Sequence, residues 1–366
     1  MAVSKRLKKI YFRFFEKPEI FTANAIARLQ AYVSMKQNMD RSFHLTKEQI
    51  KEIRDFWKPY SLVSTQWARY YAAKNGLFDP RYIPNDLYYT KIDQHFNSRK
   101  LGYGFNDKNY YSKIFSGIKQ PEVVIRKING LIFDEAFNQI TAAKAKQRIR
   151  QHQEVICKPS QESGSGRGIM FFDHDSENVI DEFLNDKSYD DYIVQKMLEQ
   201  HPELDRVHKG SVNCIRITSI LFDDGVYVLS SVLRMGFGGS KVDNATAADN
   251  AGYDGMSCGI DENGRLKKYA YGYTTGNRCE QHPDGLIFHG FQIPSFDKAV
   301  ELVKKAHPLI GHFRLVSWDI AIDKDGDPVL VEANMRKGGI NFHQFNNGPL
   351  FGDLTQRVLQ DVFGKS

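Results

Sequence analysis

The stretch Val155-Ile-Cys-Lys-Pro-Ser-Gln-Glu-Ser-Gly-Ser-Gly-Arg-Gly-Ile-Met-Phe-Phe172 puts a lysine on an apolar strand and follows it at once with a glycine loop. Gly164, Gly166 and Gly168, with Ser165 between them, let the backbone approach anionic oxygens, and Arg167 adds charge beside them. Such a loop suits a nucleoside triphosphate. A P-loop or a dinucleotide fingerprint needs a helix after the glycines, whereas Ile169 to Phe172 is a second strand-like run, so the loop reads as a β-hairpin tip. A protein kinase also lays a glycine hairpin over ATP, but there the loop precedes the strand lysine. Here Lys158 comes first, which excludes kinase order. An ordinary glycine turn fits the same residues, and a second signal has to separate the two.

That signal is Leu315-Val-Ser-Trp-Asp-Ile-Ala-Ile-Asp-Lys-Asp-Gly-Asp-Pro-Val-Leu-Val-Glu-Ala-Asn334. Two alternating runs flank Asp325-Gly326, the mark of a two-residue hairpin turn. With that turn Asp319 stands opposite Glu332, and Asn334 shares their face. Carboxylates facing each other across strands repel unless a cation lies between them, and an added amide oxygen suits Mg²⁺ carrying nucleotide phosphates. Asp323, Lys324, Asp325 and Asp327 read as the solvent-facing polar end of the hairpin. The spacing is not that of an EF-hand loop.

Strand lysine, glycine hairpin and carboxylate hairpin, in this order, resemble an ATP-grasp enzyme. Asp107-Lys108 before a helical stretch is similar to the first ATP-contacting lysine of that superfamily. Tyr192-Ile-Val-Gln-Lys-Met-Leu198 resembles its adenine-reading linker, a resemblance that implies Gln195, Lys196 and Leu198 as nucleotide contacts. Gly210-Ser-Val-Asn-Cys-Ile-Arg-Ile-Thr218, Val232-Leu-Arg-Met-Gly-Phe-Gly-Gly-Ser-Lys-Val-Asp-Asn244 and His289-Gly-Phe-Gln-Ile-Pro294 narrow the resemblance to the sugar-transfer-associated ATP-grasp family found with cell-surface polysaccharide genes. The chain departs from the pattern at Met335-Arg-Lys-Gly-Gly-Ile340, where a small Pro-Gly turn is expected. That difference bears on the acceptor substrate more than on ATP.

The resemblance implies an α+β fold in which two lobes sandwich ATP. Residues 1–104 then form a mainly helical cap, 105–192 the lobe with the glycine hairpin, and 193–366 the lobe with the Mg²⁺ site. Lys108 and Lys158 would neutralise phosphate charge, the Gly164–Gly168 loop would close over the terminal phosphate, and Asp319, Glu332 and Asn334 would hold Mg²⁺. Arg216 and Arg234 lie within strands, where a cation needs an anion; they are candidates for stabilising the transferring phosphoryl group, or else pair with a neighbouring carboxylate. Asn213 and Asn244 would orient substrate. The implied reaction activates a carboxylate as an acyl phosphate and passes it to an amine to give an amide, with a sugar or lipid-linked sugar as the partner on either side of that bond. Phosphoryl transfer to a sugar hydroxyl and a nucleotide-sensing binding role are the alternatives.

The 366 residues, 41% of them hydrophobic, bury a substantial core and include no apolar run long enough to span a bilayer. The N-terminus lacks the apolar core and cleavage site of a secretory signal. Cys157, Cys214, Cys258 and Cys279 show no metal or disulfide spacing, which points to a reducing cytoplasm. A net charge of +6 favours anionic partners, yet no nucleic-acid module appears. Leu7, Ile10, Tyr11, Phe14 and Phe15 fall on one helical face among basic residues, a pattern for peripheral contact with the inner membrane face or for docking on the protein's own core. Up to about residue 100 the chain reads as helical, starting one helix at Thr46-Lys-Glu-Gln49 and packing around Trp57, Trp67, Tyr70 and Tyr71.

Overall fold

A computed structural model describes residues 18–161, 167–173, 175–243, 255–273, 275–336 and 338–364, with side chains from residue 24 onward. The Leu7–Phe15 face, Gly164, Ser165, Gly166 and Asn244 lie outside the described residues. The chain divides into two units, 1–96 with 348–366, and 97–347.

The first unit is helical, as its sequence predicts. It contains α1 (Pro18–Asn38), α2 (Lys47–Trp57), α3 (Gln66–Asn75) and a C-terminal helix, Thr355–Phe363. Thr46 and Gln49 form a reciprocal capping box that starts α2, satisfying two backbone N–H groups that the first turn leaves unpaired. Trp57, Trp67, Tyr70 and Tyr71 are buried, and Tyr71 stacks on Tyr82 with ring centroids 5.0 Å apart. The Trp57 indole N–H donates to the Pro80 carbonyl at 2.9 Å, so this large ring is buried with its polar end satisfied.

The second unit holds two antiparallel sheets. Its first half runs β1 (Val123–Ile128), β2 (Leu131–Phe133), α4 (Ala142–Ile149), β3 (Glu154–Pro159), β4 (Met170–Asp173), α5 (Glu177–Asn185) and β5 (Tyr192–Lys196). The strands lie in the order β2-β1-β5-β3-β4. Ile149 of α4 and Phe183 of α5 pack with Val155, Cys157 and Val194 in the core of this half. The glycine loop does join antiparallel strands, since Cys157 of β3 pairs with Met170 of β4.

The second half runs β6 (Ile215–Phe222), β7 (Gly225–Met235), β8 (Met256–Ile260), β9 (Leu266–Gly272), β10 (Arg278–Cys279), α6 (Phe296–Ala306), β11 (Leu315–Ile322), β12 (Pro328–Asn334) and α7 (Asn341–Asn347). The sheet order is β10-β9-β8-β7-β6-β11-β12. Strand alternation gives it two unlike faces. Val316, Trp318, Ile320, Ile217 and Leu233 enter a large apolar core with Ala299 and Val303 of α6. Between them, Ser317, Asp319, Arg216, Thr218 and Arg234 are buried polar groups. His343 of α7 fits among these, bonding Ser230 at 2.8 Å and Thr218 at 3.1 Å. Burial pushes its imidazole down to about 3, so it is a neutral, satisfied core histidine, as is His307.

The β11–β12 hairpin reaches the expected pairing of Asp319 with Glu332 by an unexpected route. The turn has three residues, not two: the Asp323 N–H donates to the Asp327 carbonyl at 3.0 Å, leaving Lys324, Asp325 and Gly326 in the loop. Gly326 takes φ +80°, the left-handed residue that closes such a turn. This shifts the register by one, and a bulge at Val331 shifts it back, because Leu330 faces Ile320 while Glu332 faces Asp319. Asp323 is also not solvent-facing. It is buried, accepts from the N–H groups of Asp325 and Asp327, and pairs with Lys119 at 2.6 Å.

Gly326→Ala should cost about 1–2 kcal/mol through its left-handed backbone. Chemical denaturation would register this as a lower midpoint with an unchanged slope, and an unchanged midpoint would show that the turn relaxes without strain.

Candidate active site

The site is built on a row of paired positions across three strands. Asp319 in β11 lies between Arg216 in β6 and Glu332 in β12. Arg216 grips Asp319 with two nitrogens, Nη2 lying 2.6 Å from Oδ2 and Nε bonding Oδ1. Arg234 adds a bond to Oδ2 at 3.1 Å and also meets Asp243 at 3.4 Å and the Tyr273 hydroxyl at 3.2 Å. Burial alone would raise the Asp319 carboxyl, but the two guanidinium groups hold it at about 2. Arg216 and Arg234 thus adopt the carboxylate pairing that their strand positions allowed. The Asn334 amide reaches Asp319 at 3.4 Å, from the face the alternation assigned to it.

Glu332 answers to a different element. Lys108 Nζ lies 2.8 Å from its Oε1, and although burial opposes ionisation, Lys108 draws the carboxyl below its usual range. Lys108 starts a short helical segment capped by Asp107, whose carboxylate accepts the Asn109 N–H at 2.9 Å. Its own N–H donates to the Ser160 carbonyl at 2.8 Å, tying the segment to the root of the glycine hairpin. Three residues on, Tyr111 does something the sequence did not announce. Its buried hydroxyl donates to the Ala333 carbonyl at 3.3 Å and accepts the Ala333 N–H at 3.2 Å. β12 is an edge strand, and one phenol replaces the missing neighbour at the residue between Glu332 and Asn334.

Lys158 stands apart from these pairs. It is only 8% exposed and makes no hydrogen bond or ion pair among the described residues. Burial, with Lys108 nearby, pulls its ammonium down to about 8. It lines a cleft of about 540 Å³ together with Gln195, Lys196 and Leu198, and with Ile156, Phe171, Val212 and Val331 as apolar walls. The Gln195 Oε1 is buried without a partner among the described residues. Of the described hairpin residues, Gly168 has φ +76°, and a Cβ there would sit 3.0 Å from Pro159 and from the Tyr192 hydroxyl. A second groove, about 440 Å³ and lined by Ile118, Lys119, Lys298, Lys305 and Asp327, contains none of the nucleotide, metal or substrate candidates read from the sequence.

Asn213 is not available to a substrate. It is fully buried, and its amide donates to the carbonyls of Leu204 and His208 at 3.1 and 2.7 Å, so it braces the loop before β6. The 335–340 departure also has a structural counterpart: Arg336 lies 4.4 Å over the Tyr103 ring, and a Cβ on Gly102 would fall 2.4 Å from Arg336 Cδ.

The donor set fits a hard divalent cation, with two paired carboxylates and an amide oxygen on one face. Among the described residues no group of three or more His, Cys, Asp or Glu side chains that could hold a metal ion gathers, here or elsewhere. No helix of the described residues is long and apolar enough to cross a membrane.

Among the curated proteins compared, none matches the chain. Several solved structures are similar to it at low identity. An L-amino acid ligase from Bacillus licheniformis is 15% identical over 70% of this chain and 47% of its own, with a TM-score of 0.39. The ATP-grasp ligase PsnB, complexed with minimal precursor, Mg and ADP, is 12% identical over 73% and 62%, with a TM-score of 0.42. D-alanyl-alanine synthetase A from Vibrio cholerae is 12% identical over 70% and 64%, with a TM-score of 0.39. The chain spans about half to two thirds of the length of these proteins. The profile of the sugar-transfer-associated ATP-grasp family matches residues 88–360, which takes in both sheets and every described site residue, and the chain therefore belongs to that family of ATP-grasp enzymes.

Proposed function

We propose that the protein is an ATP-dependent, ADP-forming carboxylate–amine ligase acting on a sugar or polysaccharide precursor, free or lipid-linked. The observation that carries this reading is a surplus of buried cations. Lys108, Lys158, Arg216 and Arg234 are all under 9% exposed, against the carboxylates of Asp319, Glu332 and Asp243. Burying unbalanced positive charge is costly, and a polyphosphate beside Lys158 removes the imbalance. Family membership supports ATP as that polyanion and polysaccharide chemistry as its setting.

In this reading residues 105–192 and the part of 193–366 that lies in the second unit, up to residue 347, act as the two nucleotide lobes. The linker Gln195–Leu198 and the apolar walls of the cleft take adenine, with the orphaned Gln195 acceptor facing a base amine. Lys108 and Lys158 hold phosphate oxygens, and Arg167 and Gly168 cover them. Asp319, Glu332 and Asn334 hold Mg²⁺, which supplies charge neutralisation on the phosphates. Arg216 and Arg234 keep Asp319 ionised and oriented and present their remaining N–H groups to the carboxylate acceptor. The terminal phosphoryl group passes to a carboxylate oxygen as ADP leaves. An amine then displaces phosphate to form the amide.

Incubation with ATP and Mg²⁺ should release ADP only when both a carboxylate and an amine are present. Glu332→Gln should lower that turnover by a factor on the order of 10² or more at some cost in stability, because it leaves one buried lysine, Lys108, without its counter-charge while Glu332 itself is partly exposed. Asp319 is the poorer test, because removing its charge strands two buried arginines at a cost of about 3–5 kcal/mol. Release of AMP and pyrophosphate would overturn the reading, and ADP release driven by a sugar hydroxyl alone would replace it with phosphoryl transfer.

Nucleotide affinity should fall as pH rises through 8, because the free enzyme then loses the Lys158 proton that phosphate requires. Above that point the decline approaches about one log unit per pH unit for a single proton, and Lys158→Met should abolish the dependence. Stability moves oppositely. Folded Lys158 binds fewer protons than the unfolded chain between about 8 and 10.5, so its burial penalty is relieved as pH rises across that window. Titration calorimetry showing a flat affinity from pH 7 to about 9.5 would remove Lys158 from the phosphate site.

Tyr111→Phe should weaken Mn²⁺ binding several-fold, as read by electron paramagnetic resonance, and raise the metal needed for half-maximal rate while leaving kcat at saturating metal nearly intact. The hydroxyl positions the backbone between two ligands and touches neither. Loss of about 1 kcal/mol of stability with unchanged Mn²⁺ affinity would reduce Tyr111 to a structural strut.

A further inference from the structure

Residues 1–38 contain eight Lys and Arg and two Glu, a net charge of +6. The whole chain carries 50 basic and 44 acidic residues, also +6, so the rest is balanced at 42 of each sign. All of the net charge therefore resides in the segment that α1 ends. α1 in turn has two apolar faces. Ala31 and Met35 are buried, and Arg28 on that side donates to Thr90 at 3.3 Å. Ile26, Leu29, Tyr32 and Val33 are instead exposed at 51, 64, 42 and 43%. Ile26, Leu29 and Val33 follow i, i+3, i+7 spacing and form one stripe, with Tyr32 at its flank. Lys36 Nζ lies 5.4 Å over the Tyr32 ring, which sets a cation at the stripe's margin.

We propose that this stripe docks on an anionic lipid bilayer, with the basic segment before it supplying the attraction. Charge and apolarity together select the occupant. A second copy of the chain would have to bring two +6 segments together, which like-charge repulsion opposes. Nucleic acid would meet the cations but offers no apolar medium for Ile26, Leu29 and Val33. An anionic bilayer interface supplies both, since headgroups attract the lysines while the acyl boundary takes the aliphatic side chains. The inference stands independently of the ligase reading, because the α1 stripe contributes nothing to the nucleotide cleft.

Flotation of the full chain with phosphatidylcholine vesicles, with and without phosphatidylglycerol, tests it directly. Binding is expected only with phosphatidylglycerol and should be lost at high salt. Leu29→Asp combined with Val33→Asp should weaken it about tenfold or more, whereas Leu62→Asp, at a fully exposed leucine outside α1, should not. An unchanged helical circular-dichroism signal and melting transition of the double variant serve as the check that its helical unit is folded. The proposal is overturned if the full chain ignores anionic vesicles at low salt, or if the double variant binds them as well as the parent. Absence of vesicle binding accompanied by a dimer that the double variant loses would assign the stripe to a second copy. Absence of vesicle binding with a much lower melting temperature in the variant would assign it to the chain's own first residues.

Discussion

Two carboxylates on neighbouring strands, Asp319 and Glu332, would push the β11–β12 hairpin apart if they stood alone. At about 4 Å and an effective dielectric constant near 20, a pair of unit charges interacts by about 4 kcal/mol, comparable with much of a domain's net stability. The protein answers with cations from three different places. Arg216 comes from the next strand of the sheet, Arg234 from the strand beyond it, and Lys108 from the short segment before the first sheet. β6 and β7 are therefore each committed to one register, because a slip by one residue would move Arg216 or Arg234 to the apolar face.

That commitment explains why the sheet has unlike faces. One is a core of Trp318, Ile217, Leu233 and their neighbours, backed by α6. The other cannot be apolar, because it has to carry Asp319, Arg216 and Arg234, and it is closed by a helix with matching chemistry. His343, neutral and bonded at both ring nitrogens, lets α7 cover Thr218 and Ser230 with their hydroxyls paired. The Phe342 ring beside it lies under Arg216 at 5.9 Å, where a flat cation packs well on an aromatic surface.

The parts of this arrangement that depend on period and order were readable from the sequence. A lysine before a glycine loop and carboxylates at matching distances from a turn need only strand alternation, and Lys158, Asp319, Glu332 and Asn334 fall where that rule puts them. The turn itself was misread, since Asp325-Gly326 suits a two-residue loop, and the extra turn residue is cancelled by a bulge at Val331 that no local pattern marks. Asn213 was misjudged for a related reason: a polar residue beside a strand looks the same whether it faces substrate or braces carbonyls from a loop. Tyr111 was invisible, because its value depends on β12 being an edge strand, which is a fact of topology.

The link between the two halves of the second unit is correspondingly local. Lys108 and Tyr111 are one helical turn apart, and between them they hold the side chain of Glu332 and the backbone of Ala333. The same segment hangs from Ser160 at the root of the glycine hairpin. A displacement of the hairpin root would therefore reach Glu332 and Ala333 through the Lys108 and Tyr111 side chains. Lys158 sits on the strand that ends at that root and has no partner of its own among the described residues. Its charge is unmatched among the described residues, so this end of the strand attracts an anion beside the segment that holds Glu332 and Ala333.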